Sequence, residues 1–142
     1  MYVVIVGGGK VGSWLARILG EEGHQVAVVE FRRDTCNKLT NEMALFQNEN
    51  VRVICGDGDE PYVLEDVNVG KADAVVAATG DDEDNLVVCL LSKYEYHVPM
   101  TIARINNPKN EWLFTEEFGV DMSVSNTGMI AKLLEQKVTE TG

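Results

Sequence analysis

The chain predicts an α/β fold: a doubly wound, six-stranded parallel sheet in the order 3-2-1-4-5-6 with helices on both faces. Three observations predict it. Six short apolar runs recur along the 142 residues. Helix signals alternate with them from one end to the other, and that alternation is the mark of a parallel sheet. The fourth run, Ala72 to Ala78, is small and apolar, as a central strand buried on both faces should be. Right-handed crossovers then favour the stated strand order, with any ligand at the carboxyl ends beside the first strand.

The elements follow in order. Tyr2 to Val6 is the first strand, and Gly7, Gly9 and Gly12 stand directly behind it as Gly-x-Gly-x-x-Gly. Val11, Trp14, Leu15, Ile18 and Leu19 repeat at i, i+3, i+4, i+7 and i+8, the pattern of a core-facing helix. Gly23 is a C-cap, and Gln25 to Val29 is the second strand, closed by Glu30. Asp34 is placed to cap a second helix through Met43, with Leu39 and Met43 inward. Val51 to Cys55 is the third strand, followed by Gly56-Asp57-Gly58. Asp59 and Pro61 open a short helix carrying Leu64 and Val67, which Gly70 stops. Thr79-Gly80 ends the fourth strand, and Asp81 or Asp82 begins a helix bearing Leu86, Cys89 and Leu90. Met100 to Ile105 is the fifth strand. Asn107-Pro108 starts a helix through Phe118, Gly119 closes it, and Val120 to Val124 is the sixth strand. Thr127 caps a last helix over about 127–139 with Met129, Ile130, Leu133, Leu134 and Val138 as a broad apolar stripe.

Strand, glycine loop and helix together carry chemistry. The first glycine permits a tight turn, the second lets backbone approach a pyrophosphate, and the third packs helix on strand. Phosphates would rest on the free N–H groups and positive dipole end of the helix. Glu30 lies 23 residues after Gly7, near the spacing of about 20 expected for a ribose-binding carboxylate. Arg32 and Arg33 could instead accept a 2′-phosphate, although Glu30 would repel it. Lys10 and Arg104 are the basic residues available for phosphate. Asp57 is a turn residue or a ligand contact. The acidic run 81–84 is a helix N-terminus or a Mg²⁺ site.

Bulk properties narrow the field. Apolar residues are 45% and charged residues 25%, which suits one globular domain spanning 1–142. A net charge of −11 argues against nucleic acid and against adsorption to anionic lipid. No apolar run approaches the ~18 residues of a membrane span. Three cysteines without Cys-x-x-Cys spacing are expected to be reduced thiols in a cytosolic protein.

Several stretches carry a resemblance. They are Val4-Ile5-Val6-Gly7-Gly8-Gly9-Lys10-Val11-Gly12, Val28-Val29-Glu30 and Gly56-Asp57-Gly58-Asp59, followed by Ala77-Ala78-Thr79-Gly80-Asp81-Asp82-Glu83-Asp84-Asn85 and Ala103-Arg104-Ile105-Asn106-Asn107-Pro108. In them the chain resembles the N-terminal nucleotide-binding domain (RCK/KTN) of bacterial and archaeal Trk/Ktr-type potassium-uptake regulators. The glycine loop is common to all Rossmann domains, so the later stretches carry the likeness. The resemblance implies a cytosolic, non-enzymatic regulatory subunit of a membrane potassium transporter or channel, peripheral to the inner face of the cell membrane through that partner. It implies an adenine nucleotide (AMP, ADP or ATP) or NAD(H) in the crevice and self-association as a dimer or larger ring. By the same likeness Gly7, Gly9, Lys10, Val11 and Gly12 hold phosphates and Glu30 holds ribose. Asp57 lies near adenine, Thr79 and Gly80 line the crevice, and Arg104 reaches toward phosphate. The chain departs from the family pattern in stopping after the last helix, without the usual second ligand-binding domain. It is expected to be a fragment or a one-domain subunit, with the last helix at a subunit contact.

Two other functions compete. A dehydrogenase fragment would transfer hydride, but there is no substrate domain and no His, Lys or Tyr placed as proton donor. An assembly subunit with an unused pocket would bind no nucleotide.

Overall fold

The computed structural model describes residues 1–141. Its strands are β1 (Tyr2–Val6), β2 (Gln25–Glu30), β3 (Val51–Cys55), β4 (Ala74–Ala77), β5 (Met100–Ile105) and β6 (Met122–Ser125). Its helices are α1 (Lys10–Glu21), α2 (Arg33–Leu45), α3 (Pro61–Asp66), α4 (Asp82–Leu90) and α5 (Asn126–Thr141). All five strand pairs are parallel, and the order is β3-β2-β1-β4-β5-β6, as the alternation predicts. The sequence-order reversal falls between β1 and β4, where ligand crevices form in such sheets.

Strand pleat divides the core into two clusters. Val4, Val6, Val75, Ala77, Ala103 and Ile105 face α3 and α4 and pack with Val63, Leu64, Val67 and Val88. Val3, Ile5, Val26 and Val28 face α1 and α2 and pack with Ala16, Leu39 and Met43. On this second face α1 and α2 cover β1 to β3. Beyond them Val76, Ile102 and Val124 line an open apolar groove of about 410 Å³ against Val11, Leu15 and Leu19.

Local outcomes differ from the sequence expectation at six places. The side of α1 fully buried is Gly12, Ala16 and Gly20; Leu15 and Leu19 pack beside it as expected, whereas Val11, Trp14 and Ile18 are exposed. The small residues win because the helix lies so close to the sheet: a Cβ on Gly12 would fall 1.7 Å from the Gly7 carbonyl oxygen. Asp34 lies inside α2 rather than capping it; the Arg32 N–H at that end donates to Glu30 instead. Asn68, left-handed at φ 55°, follows α3, and Gly70 sits in the short 3₁₀ turn after it. Residues 107–118 are not one α-helix but two 3₁₀ turns, Pro108–Leu113 and Glu116–Phe118. The break at Phe114, whose ψ is 71°, accompanies burial of its ring in the core while Trp112 stays exposed. Ser125, not Thr127, caps α5, its Oγ accepting from the Gly128 N–H at 3.1 Å.

The sixth difference concerns sulfur. Cys36 and Cys55 are joined as a disulfide with Cα atoms 6.0 Å apart, so the expectation of three reduced thiols is corrected for this pair. Cys89 is free and buried.

Candidate functional site

The carboxyl ends of β1, β2, β3 and β4 converge on a cavity of about 200 Å³. Gly7 turns the chain out of β1 at φ +115°, and its N–H donates to the Val29 carbonyl at 2.8 Å. A Cβ there would lie 2.7 Å from the Ala78 backbone, so the turn fits tightly between β2 and β4. Gly9 then begins α1 with no side-chain cap, leaving the first-turn N–H groups free to serve a ligand.

Glu30 is nearly buried, at 7% exposure. Its Oε1 accepts from the Gly8 N–H at 3.0 Å and its Oε2 from the Arg32 N–H at 2.9 Å. Each oxygen keeps a further lone pair, so the carboxylate is oriented and still able to accept from a ligand. The backbone of Gly56 completes this corner by donating to the Glu30 carbonyl at 2.9 Å.

The opposite wall is built by an amide. Asn85, fully buried on α4, accepts from the Thr79 N–H at 3.0 Å and hydroxyl at 2.6 Å, and donates to the Thr79 and Arg104 carbonyls. This one side chain fixes the ends of β4 and β5 against each other. Arg104 lines the cavity, and its Nε is buried without a hydrogen-bond partner among the described residues.

The acidic run divides its labour. Asp81 caps α4 by accepting from the Asp84 N–H at 3.1 Å. Asp82 accepts from the N–H groups of Asn106 and Asn107 and from the Asn110 amide, and those bonds hold its carboxyl below the ordinary range despite partial burial. Asp84 alone of the three lines the cavity, near Asp57 and Asp59. There the Asp59 carboxyl is pushed up to about 7, first by its hydrogen bond with Asp57, then by desolvation and by the charges of Asp57 and Asp84. A proton held in this cluster lessens the negative field facing an anionic ligand.

Of the residues expected at the site, Gly7, Gly9, Glu30, Asp57, Thr79, Gly80 and Arg104 line this one cavity. Lys10, Val11 and Gly12 do not. Lys10 lies in an adjoining cleft with Ser13 and Thr35, Val11 faces the apolar groove, and Gly12 is buried under the loop. Phe31 and Asp59 line the cavity without having been expected there, and Arg32, weighed from sequence only as an alternative acceptor for a 2′-phosphate, and Asp84, weighed only within the acidic run, line it too. Asn85 was present in the matching stretch, but its role depends on the meeting of α4 with β5, which no local spacing reveals.

Residues 3–126 match the TrkA-N domain family. The Trk system potassium uptake protein TrkA of Mycobacterium tuberculosis is 41% identical over 139 residues, 98% of this chain and 60% of that protein. The chain thus spans about 60% of the length of that relative. Among solved structures, the Kef CTD of Shewanella denitrificans in AMP-bound form superposes with a TM-score of 0.75 at 19% identity, covering 100% of this chain and 82% of that one. The GsuK channel bound to NAD superposes with a TM-score of 0.70 at 24% identity, covering 87% of this chain and 21% of that one. These two likenesses are of fold. No helix among the described residues is long and apolar enough to cross a membrane. A match over residues 3–126 of the 142 establishes that the chain belongs to the TrkA-N domain family.

Proposed function

We propose that this chain is a nucleotide-sensing regulatory subunit of a membrane potassium transporter or channel, binding an adenine nucleotide or NAD(H) in the crevice and acting from the cytoplasmic side through its partner. The observation that carries the reading is glycine where the fold itself requires none. At Gly9 and Gly80 the backbone is not left-handed, and a Cβ would meet nothing within 4 Å. Both residues line the cavity. An open-sided glycine at a helix N-terminus leaves room for phosphate to reach backbone N–H groups.

In this reading phosphates lie over Gly9 and the start of α1, where Arg104 supplies the compensating cation. Glu30 accepts from the ribose hydroxyls, and Asp57 borders the base. Glu30 disfavours a 2′-phosphate, so NADH is bound in preference to NADPH. The AMP-bound and NAD-bound neighbours support the ligand class. The Trk potassium uptake relative supports the transporter partnership. No residue here is assigned to catalysis: the cavity offers carboxylates and arginines to bind and orient, but no nucleophile paired with a base.

Binding does work only where two arrangements of the subunit differ in affinity for the ligand. The reading places that difference in self-assembly. Met129, Ile130, Leu133 and Leu134 of α5 are all more than half exposed, and the groove between α1 and β4–β6 is apolar and open. A second copy's α5 covers one with the other in a dimer or larger ring.

Native mass spectrometry of freshly purified protein tests both halves together. The reading expects a dimer or higher species carrying the mass of an adenine nucleotide. A ligand-free monomer that gains no mass when ADP, ATP, AMP or NADH is added would overturn it.

A further inference from the structure

The Cys36–Cys55 pair lies immediately behind the ribose corner of the crevice, and the function proposed above makes no use of it. β2 and β3 pair in a register that sets Glu30 opposite Cys55. Cys55 is followed directly by Gly56 and Asp57, which form one cavity wall, while Cys36 sits in the first turn of α2 after Phe31 and Arg32, which form the other. The bond therefore ties together the two segments that flank the carboxylate of Glu30.

The two residues are unequally exposed. Cys55 is exposed, whereas Cys36 is 2% exposed. An incoming thiolate can therefore reach Cys55, with Cys36 as the leaving group. The leaving thiolate forms in the first turn of a 13-residue helix, whose positive end stabilises it. The reduced state is also provided for: the Cys36 sulfur lies 3.1 Å from the Glu30 carbonyl oxygen, which a thiol can use as its acceptor.

We propose that Cys36–Cys55 is a thiol–disulfide exchange site for a low-molecular-weight thiol, and that its oxidised form preorganises the crevice for nucleotide. The coupling rests on the nucleotide reading above; the exchange itself does not. In the reducing direction one thiolate attacks Cys55 Sγ, forming a mixed disulfide and releasing Cys36 as thiolate. A second thiolate attacks the small-molecule sulfur of that adduct, releasing Cys55. Two small thiols become one small disulfide, and the protein gains two electrons and two protons. Excess small disulfide drives the same steps backward. Cutting the tie frees the start of α2 from the end of β3, so ordering both walls must then be drawn from binding energy.

The test equilibrates wild-type protein with excess cysteamine or excess cystamine. Alkylation under denaturing conditions, read by mass, is expected to add three labels after reduction and one, on Cys89, after oxidation. ADP is expected to bind the oxidised form at least about threefold more tightly, the effect of preorganising a site. The Gly8 and Arg32 N–H groups, which donate to Glu30, are expected to exchange hydrogen more slowly in the oxidised form. A Cys36→Ser, Cys55→Ser double variant should read the same in both buffers. Three labels after cystamine would overturn the exchange site. Equal amide exchange together with equal ADP affinity in the two states would overturn the coupling. Should AMP, ADP, ATP and NADH all fail to bind either state, the nucleotide reading falls, and the label count with the amide exchange still decides whether the pair switches the ribose corner.

Discussion

The two faces of this sheet are finished differently. Toward α3 and α4, the 3₁₀ turns and the ring of Phe114 complete a continuous buried cluster that runs from β1 out to Val98 and Val120. Toward α1 and α2, packing ends at the start of β4 with Ala74, and the apolar side chains further out on β4 to β6 line an open groove. The strand residues on the two faces are chemically alike, since Val75 and Val76 are neighbours on one strand with opposite orientations. Among the described residues no helix covers β4 to β6 on the second face, and α5 has its apolar side chains uncovered. Burial in the first case belongs to folding; in the proposed assembly, burial in the second belongs to association.

That contrast predicts opposite responses to substitution. The largest effect is expected at Gly12→Ala, under the glycine loop on the covered part of the second face. The new methyl would fall 1.7 Å from the Gly7 carbonyl oxygen, a backbone atom that cannot swing aside. Urea unfolding should show a loss of about 3 kcal/mol or more, in the range of severe packing lesions. An unchanged midpoint would mean that α1 does not lie this close to the loop.

On the bare side the sign of the contrast reverses. Leu133→Asp should leave the stability of the monomer within about 0.5 kcal/mol of wild type, as for exposed sites. It should nevertheless dissociate the assembly, because an unpaired carboxylate is costly to bury at a contact. Light scattering at high micromolar concentration checks this. A wild type that is monomeric with and without nucleotide would remove the association half of the contrast.

How far the sequence carries depends on whether a feature is local. The strands Val51–Cys55 and Met100–Ile105 match their sequence boundaries because runs of β-branched residues end in turn chemistry. The helical period of α1 was legible and Leu15 and Leu19 pack against the core as expected, but Val11, Trp14 and Ile18 do not, since close approach favours Gly12, Ala16 and Gly20 over the bulkier residues beside them. The 107–118 segment begins as expected with Asn107 as cap, its side chain accepting from the Lys109 N–H, but continues as 3₁₀ turns. The motif-borne cavity residues Gly7, Gly9, Glu30, Thr79 and Gly80 were readable because each ends a strand or opens a helix. The approach of Asp84 to Asp57 and Asp59 and the Cys36–Cys55 pair were not legible, because their neighbours come from other elements.

Within the crevice, smaller effects separate the Glu30 corner from the acidic corner. Glu30→Ala should weaken NADH by about 1–3 kcal/mol, as for hydrogen bonds to a charged group, and narrow the preference over NADPH. Competition titrations with the two dinucleotides check it, and a wild-type preference for NADPH would hand control of the corner to Arg32.

The smallest effect concerns Asp59, whose carboxyl is pushed from 3.8 up to about 7. A raised value means that the folded protein keeps a proton the unfolded chain has released. Its contribution is therefore full below pH 3.8 and is lost as pH rises through about 7. Thermal melts should show a slight decline over that window, which Asp59→Asn flattens. Melts that instead rise with pH only in the wild type would contradict the Asp57–Asp59–Asp84 contact.

The claim that this crevice binds nucleotide meets its most direct test in calorimetry of wild type and Gly9→Asp with AMP, ADP, ATP, NADH and NADPH. Because a Cβ at Gly9 meets nothing within 4 Å, the variant should fold as wild type does. Its carboxylate would nonetheless stand where phosphate is expected, at the start of α1. The account predicts that wild type binds at least one of the adenine ligands and that the variant, equally stable, binds none. Failure of all five to bind wild type, or equal binding by the variant, would contradict it.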